Sequence, residues 1–144
     1  MAALEPLALP AVLDSLAELR AFARRASEAV GLDVGRRYAL ELAVDEIATN
    51  VILYGYGSPD PSRQLWISAE IDGGVLRILL EDDGTPYDPR EHRMPSEEEL
   101  SAPLEDRPIG GLGILLALRG VDAFDYRSRE GRNVNVFEMR VSRG

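Results

Sequence analysis

The chain contains no cysteine and no lysine, and each absence excludes a class of protein. Without cysteine there is no disulfide framework, and without lysine there is no P-loop, whose lysine holds nucleotide phosphates. No apolar run approaches the roughly 20 residues that a membrane-spanning helix needs, and residues 1–10 lack the pattern of a secretory signal. We therefore expect a soluble, cytoplasmic protein with no membrane partner.

Cations are also scarce relative to anions. The chain carries 25 acidic and 16 basic residues, all of the latter arginine, for a formal net charge of −9. Because nonspecific binding to nucleic acid draws its energy from clustered cations, nucleic acid is a poor candidate partner. A triphosphate bound by such a chain would need arginine, backbone amides or a divalent cation to balance its charge. At 144 residues, the length fits a single domain over residues 1–144.

Two amphipathic helices are predicted in the first part of the chain. Apolar residues recur at intervals of three and four over residues 12–30, and again over residues 40–51. Pro10 suits the first turn of the first helix, and Gly31 ends it. Asp33 is the expected N-cap of the second helix.

The remaining segments predict a sheet. Residues 4–9 read as an edge strand, residues 65–82 and 121–141 as hairpins, residues 85–109 as a long loop and residues 111–120 as a short helix. Such an order is typical of an α+β fold in two layers. We expect an α/β sandwich, with helices on one face of a mixed, mostly antiparallel sheet.

The second predicted helix carries Glu46 and Asn50 on one side. On an ideal helix they lie about 40° apart and about 6 Å along the axis, so both side chains reach one small volume. Both border the apolar stripe, whereas Glu41 and Asp45 fall on the outer side. A carboxylate can act as a general base, and an amide oxygen suits Mg²⁺. For the pair alone, a solvated helix edge is the alternative.

Asp82 ends the buried row of a predicted strand. Alternation turns Asp82 inward and Asp83 outward. Gly84 follows where a ligand could approach the backbone, and the amine of adenine is a natural donor to a carboxylate at this place. The alternative interpretation is a simple acidic turn.

A cluster of glycines opens the last predicted helix. It comprises Gly110, Gly111 and Gly113, with Leu112 between the second and third. Free backbone amides and the positive end of the helix dipole would point at one spot there, which suits a phosphate. Loop flexibility is the alternative, and the cluster is not the strand-coupled glycine motif of dinucleotide-binding folds.

These three elements, in this order, resemble the three sequence boxes of the GHKL, or Bergerat-fold, ATPases. The matching segments are Glu46-Ile-Ala-Thr-Asn50, Asp82-Asp-Gly84-Thr-Pro86 and Gly111-Leu-Gly113. The chain is most similar to the small anti-sigma factor serine kinases of bacterial partner-switching systems. The resemblance covers nearly the whole chain, including Tyr87-Asp88-Pro89 after the second box, and implies the Bergerat fold.

The resemblance implies ATP and Mg²⁺ as cofactors. Glu46 would be the general base toward a serine hydroxyl, Asn50 would hold the metal, and Asp82 would accept a hydrogen bond from adenine. The other implied nucleotide-binding positions are Gly84, Pro86, Asp88, Gly110, Gly111, Leu112 and Gly113.

The resemblance also implies an ATP lid over residues 88–110, in which Arg107 would reach the γ-phosphate. Some members place this arginine directly before the glycines, whereas Pro108-Ile109 intervene here. Members commonly carry histidine where Tyr54 stands and glycine where Pro86 stands.

Two functions remain open. The first is a serine kinase that phosphorylates a small STAS-type anti-anti-sigma protein and otherwise sequesters a sigma factor. Arg20 matches a position that contacts the antagonist in relatives, although a solvated arginine is the alternative. The second is a noncatalytic module whose ATP or ADP state selects partners. A detached histidine-kinase catalytic domain ranks last, because the chain has no helical phosphoacceptor segment.

Relatives also suggest a homodimer through the sheet edge and first helices.

Overall fold

The computed structural model describes residues 4–91 and 111–141. The helices and strands are β1 (Leu7–Ala11), α1 (Leu16–Ala29), α2 (Val34–Asn50), β2 (Asp60–Asp72), β3 (Val75–Asp82), α3 (Gly111–Arg119), β4 (Ala123–Arg129) and β5 (Arg132–Arg140). Three shorter helical turns occur at Leu13–Ser15, Val51–Gly55 and Pro89–Glu91. This is the predicted order of strand, two helices, hairpin, helix and hairpin.

The five strands form one sheet in the order β1-β2-β3-β5-β4. α1 contacts β2 and β3, and α2 contacts β5, so the predicted α+β fold is confirmed. Every neighbouring pair of described strands is antiparallel, and the sheet is therefore antiparallel throughout rather than mixed. For two of the four pairs the reason is local, because tight hairpins join β2 to β3 and β4 to β5, and a tight hairpin can join only antiparallel neighbours.

The core lies between the helices and one face of the sheet. The strands contribute alternate residues to it, as the period of two predicts. In β3 the buried row is Leu76, Ile78, Leu80 and Asp82. In α1 and α2 the fully buried apolar side chains are Leu19, Phe22, Ala23, Ala26, Leu40, Ala43, Val44, Ile47 and Ala48. The only charged side chain among the buried residues of the described chain is therefore the carboxylate that ends β3.

β1 forms one edge of the sheet and includes Pro10, which pairs with Gln64 of β2. The prediction that Pro10 begins the first helix is wrong, since α1 begins at Leu16. An edge strand accepts proline because one side of the strand needs no partner. The carbonyl of Pro10 still accepts a hydrogen bond from Ser15 Oγ over 2.7 Å, which links the strand to the helix that follows. The homodimer through this edge stays a prediction.

The predicted end of the first helix and the predicted start of the second are confirmed. Gly31 adopts a φ of +76°, and its N–H donates to the carbonyl of Glu28 at 3.1 Å, which closes α1. The side chain of Asp33 accepts from the backbone N–H of Arg36 over 2.9 Å and caps α2. Beyond Asn50, α2 continues into a π-helical turn, Val51–Gly55, which carries the chain toward the end of β3.

Candidate functional site

Asp82 is buried at the end of β3, with only 2% of its surface exposed. Its Oδ1 accepts hydrogen bonds from the backbone N–H of Gly84 and from Asn133 Nδ2, both over 2.9 Å. Burial raises the pKa of the Asp82 carboxyl, and the two hydrogen bonds act in the opposite direction. Among the described residues no hydrogen bond uses Oδ2. The carboxylate therefore keeps one free acceptor for a ligand.

Asp83 has the opposite environment, as the alternation of the strand predicts. Its carboxylate is exposed and accepts from Arg63 and from the hydroxyl of Tyr56, each over 2.9 Å. The hydrogen bond from Arg63 is the main reason that the pKa of Asp83 is lowered. This aspartate is thus exposed and paired at the surface, whereas Asp82 is buried and is the one that can receive a buried ligand.

Gly84 lies directly against the end of the helical turn that follows α2. A Cβ atom at this position would lie 2.6 Å from the carbonyl oxygen of Gly55, which is closer than real Cβ contacts allow. The same oxygen accepts from Thr85 N over 2.8 Å. This close approach accounts for glycine at position 84 independently of any ligand. It also joins the C-terminal end of α2 to the loop beside Asp82.

Asn50 is 4% exposed at the end of α2. Its Nδ2 donates to the backbone carbonyl of Glu46 over 2.6 Å. Since a carbonyl oxygen can only accept, the nitrogen of the amide must face Glu46, and Oδ1 points away. No hydrogen bond within the described part of the chain uses that oxygen. Asn50 therefore presents a hard oxygen ligand, of the kind that Mg²⁺ takes alongside water and phosphate oxygens.

Glu46 lies one turn earlier on α2 and is half-buried. Desolvation raises the pKa of its carboxyl, and the negative charge of Asp45 raises it further. Asp45 forms an ion pair with Arg20 of α1 over 2.6 Å. The predicted antagonist contact Arg20 therefore has a partner within the chain, although its side chain remains 42% exposed. A half-buried carboxylate with a raised pKa is suited to accept a proton.

Sequence reasoning missed three residues around Asp82. Asn133 of β5 lies directly opposite Asp82 and also donates to the carbonyl of Gly84 at 3.0 Å. Tyr126 of β4 orients this asparagine by donating from its hydroxyl to Asn133 Oδ1 over 2.8 Å. The third is Gly55, described above. The alternating pattern of β5 could have indicated that Asn133 faces inward, but not which residue it would meet.

Several predicted site residues belong to the predicted ATP lid, residues 88–110, or flank it. Arg107 and Gly110, with the rest of residues 92–110, lie outside the described residues. α3 begins at Gly111, so the predicted Gly111, Leu112 and Gly113 form its first turn. Asp88 accepts from the backbone N–H of Arg90 and from Arg90 Nη2, each over 2.9 Å, and is thus paired within the chain. Pro86 is exposed.

A groove on the opposite face of the sheet is separate from this site. It is lined by residues of the first three strands together with Arg132, whose guanidinium lies 3.8 Å from the ring centroid of Trp66. Trp66 therefore packs against a cation on this face of the sheet. No helix among the described residues is long and apolar enough to cross a membrane.

The antiparallel sheet with helices on one face is the fold of the GHKL ATPases. A sequence model of the histidine kinase-like ATPase domain matches residues 9–139. The chain belongs to this family. No curated protein matches it by sequence.

Solved structures share the fold at low sequence identity. The RsbU and RsbW domains of Rv1364c from Mycobacterium tuberculosis match with a TM-score of 0.64 and 19% identity, over 98% of this chain and 34% of that chain. The present chain thus spans about a third of that protein. The catalytic domain of histidine kinase ThkA matches with a TM-score of 0.53 and 15% identity, over 96% and 98%. The SiaB-SiaC complex from Pseudomonas aeruginosa matches with a TM-score of 0.51 and 14% identity, over 95% and 89%.

Proposed function

We propose that this protein is an ATP-dependent serine kinase and anti-sigma factor of a partner switch. It binds Mg-ATP, phosphorylates a serine of a small STAS-type anti-anti-sigma protein, and sequesters a sigma factor when free of that antagonist. The observation that carries the proposal is the pairing of Asn50 with Glu46 on α2. The hydrogen bond from the amide to the backbone turns one hard oxygen outward beside a half-buried carboxylate.

The residues present fit the nucleotide and the metal. Asp82 offers a free Oδ2 to the amine of a purine base, and Asn50 Oδ1 suits Mg²⁺. The contact between Gly84 and Gly55 holds the α2 end and the β3 end together, so the base site and the metal site belong to one rigid unit. The first turn of α3 supplies free amides for phosphate oxygens. Gly110, Pro86 and Asp88 complete the proposed nucleotide site.

In the proposed reaction, ATP supplies the phosphoryl group. Glu46 takes the proton of the serine hydroxyl as that oxygen bonds to the γ-phosphorus of ATP, while the bond from the γ-phosphorus to the β,γ-bridging oxygen breaks and ADP leaves. The raised pKa of Glu46 makes its carboxylate a better acceptor for this proton. Arg107 is proposed to balance the charge that develops on the transferred group. Phosphoryl transfer depends mainly on positioning and charge stabilisation, so these groups suffice.

Arg20 is proposed to contact the antagonist. Its ion pair with Asp45 is partly exposed, and such pairs contribute little to stability, so a partner carboxylate can compete for the guanidinium. The similarity to an RsbW domain and to a protein of the SiaB-SiaC complex supports a role in protein partnerships. The sigma factor and the antagonist are the two partners that this function requires.

A second candidate function is the noncatalytic module, in which ATP or ADP selects partners without phosphoryl transfer. The observation that favours it is the insertion of Pro108-Ile109 between Arg107 and the glycines. A displaced arginine leaves nucleotide binding intact and removes the contact on the γ-phosphate.

One experiment separates the two functions. The protein is incubated with Mg-ATP and purified STAS-type proteins, and phosphoserine is sought by mass spectrometry. Glu46→Gln and Asn50→Ala test the two proposed roles, and Glu41→Gln, at a carboxylate of the same helix that pairs with Arg24 of α1 over 3.4 Å, is the matched control. For a kinase, we expect transfer by the wild type and by the control, and a loss of at least about a hundredfold in Glu46→Gln.

The possible outcomes differ clearly. Transfer at the wild-type rate by Glu46→Gln would contradict its role as base. Nucleotide binding by calorimetry without transfer to any of the STAS-type proteins would favour the module. Absence of nucleotide binding by the wild type, with or without Mg²⁺, would contradict both functions.

A further inference from the structure

Asn135 of β5 is a buried amide whose oxygen accepts no hydrogen bond from any described residue. The residue is 1% exposed, and among the described residues no hydrogen bond reaches its Oδ1. Buried polar groups are almost always paired, because leaving one unpaired forfeits its hydration without replacement. An apolar residue would fill the same place without this cost. The amide therefore calls for an explanation in terms of a ligand.

The position of Asn135 relates it to the base site. Asn133 and Asn135 are two residues apart on one strand and face the same side of the sheet. Asn133 lies opposite Asp82, and Asn135 lies opposite Leu80. Asn135 is therefore the diagonal neighbour of Asp82 on the adjacent strand, at a spacing of roughly 7–8 Å, within reach of a carboxamide side chain.

The neighbouring asparagine shows the contrast. Asn133 is equally buried, but its nitrogen donates to Asp82 and Gly84, and its oxygen accepts from Tyr126. Its hydrogen-bonding groups are used in holding the site together. The oxygen of Asn135 accepts no such bond within residues 4–91 and 111–141, and it remains available to a ligand.

We propose that Asn135 is a second base-reading residue, which accepts one hydrogen of an exocyclic purine amine while Asp82 accepts the other. The inference rests on the proposed nucleotide binding. An adenine amine carries two hydrogens, and acceptors on either side of it stand roughly 5 Å apart at ordinary hydrogen-bond lengths. Two acceptors on diagonal positions of neighbouring strands match this arrangement. Guanine has a carbonyl oxygen at the ring position where adenine has its amine. This oxygen would face the two acceptors of Asp82 and Asn135 with no hydrogen to donate.

This proposal predicts sensitivity to a single methyl group on the amine. N6-methyl-ATP retains one hydrogen, so the wild type should bind it about tenfold more weakly than ATP, which corresponds to the loss of one hydrogen bond in the complex. In Asn135→Leu the second acceptor is gone. That variant should bind ATP about tenfold more weakly and should no longer discriminate between the two nucleotides.

The closing experiment measures ATP and N6-methyl-ATP binding by calorimetry, and melting temperature without nucleotide, for the wild type and Asn135→Leu. Because the substitution removes an unpaired buried group, the melting temperature should stay level or rise by about 3 °C. Ser27→Ala is the control, since Ser27 is a buried polar residue of α1 whose hydroxyl donates to Ala23 O over 2.7 Å. It should leave both affinities unchanged.

Each result supports or overturns the proposal. Equal affinity of the wild type for ATP and N6-methyl-ATP overturns it, and this measurement needs no variant. Unchanged ATP affinity in a folded Asn135→Leu, or a lower melting temperature as its only effect, also overturns it and assigns the amide a structural role. A wild type that binds no ATP rejects the proposed function itself, which distinguishes the two failures.

Discussion

Asn133 Nδ2 donates to Asp82 Oδ1 over 2.9 Å, between residues that stand directly opposite each other on β5 and β3. The same nitrogen donates to the carbonyl of Gly84, so one amide fixes both the carboxylate and the loop after it. Tyr126 fixes the amide in turn. The Asp82 side chain is therefore preoriented, with Oδ1 held by the protein and Oδ2 left for a ligand.

Replacing Asp82 with asparagine should weaken ATP binding by about 10- to 100-fold. The amide oxygen can still accept from Gly84 and Asn133, but its nitrogen then faces the amine of the base, donor against donor. A hydrogen bond to a charged group contributes roughly 1.5–3 kcal/mol, which gives this range of affinity. Calorimetry with a nonhydrolysable ATP analogue and Mg²⁺ measures the change.

The matched control for this prediction is Asp83→Asn. Asp83 is exposed and paired with Arg63 and Tyr56, so its substitution should leave the affinity within about twofold of the wild type. An equal loss of affinity in both variants would mean that net charge, and not a specific acceptor, governs binding.

Asp82→Asn should also make the nucleotide-free protein more stable at neutral pH. Burial raises the pKa of Asp82 above its ordinary value of 3.8, so the folded state binds more protons than the unfolded state between the two pKa values. The contribution of the Asp82 carboxyl to the free energy of unfolding of the wild type therefore falls as the pH rises from the unfolded-state pKa to the folded-state pKa. Asp82→Asn removes this pH dependence. The free energy of unfolding of the variant should therefore exceed that of the wild type by its full amount above the raised pKa, and the difference should vanish below pH 3.8.

Urea unfolding of both proteins between pH 3.5 and pH 7 measures this difference, and all other carboxylates cancel in it. A difference that is independent of pH, or one in favour of the wild type at neutral pH, would contradict the prediction.

The features that the sequence predicted are local ones. The period of two along β3 distinguished Asp82 from Asp83, and the 3.6-residue period of α2 placed Asn50 at the edge of the buried face. Both periods follow from backbone geometry within a single element. Helix caps such as Asp33 depend on three or four neighbouring residues, and they too were predicted correctly.

The features that the sequence did not predict depend on strand register. Asn133 meets Asp82 across 51 positions of the chain, and no periodicity determines which residues of two distant strands lie opposite each other. The close contact between Gly84 and Gly55 is equally nonlocal. Pro10 was assigned to a helix because proline suits a first turn, although it suits an edge strand as well.

Asp33→Ala should lower the free energy of unfolding by about 1 kcal/mol, because it removes the acceptor for the N–H of Arg36 at the start of α2. Asp33→Asn supplies an equivalent acceptor and should restore most of the stability. Denaturant unfolding measures both variants, and ATP affinity should be unchanged since the cap lies at the opposite end of α2 from Asn50. Equal destabilisation by alanine and asparagine would show that the charge, and not the cap, matters.

Gly84→Ala should destabilise the protein and weaken ATP binding together. The new methyl group would lie 2.6 Å from the carbonyl oxygen of Gly55, and backbone on both sides of the contact must shift, at a cost of about 1–3 kcal/mol. The shift also moves the N–H of Gly84 away from Asp82 Oδ1, which loosens the carboxylate. Denaturant unfolding and calorimetry on the same preparation test both effects.

Gly35→Ala is the matched control for Gly84→Ala. Gly35 lies in the first turn of α2, where the nearest atom to a new Cβ is Asp33 Oδ1 at 3.4 Å. Alanine favours a helix over glycine, so this variant should be as stable as the wild type or more stable by up to about 1 kcal/mol, with unchanged ATP affinity. If Gly84→Ala instead matched the wild type in both measurements, the loop after β3 would have to move freely from Gly55, and the α2 end and β3 end would not form one rigid site.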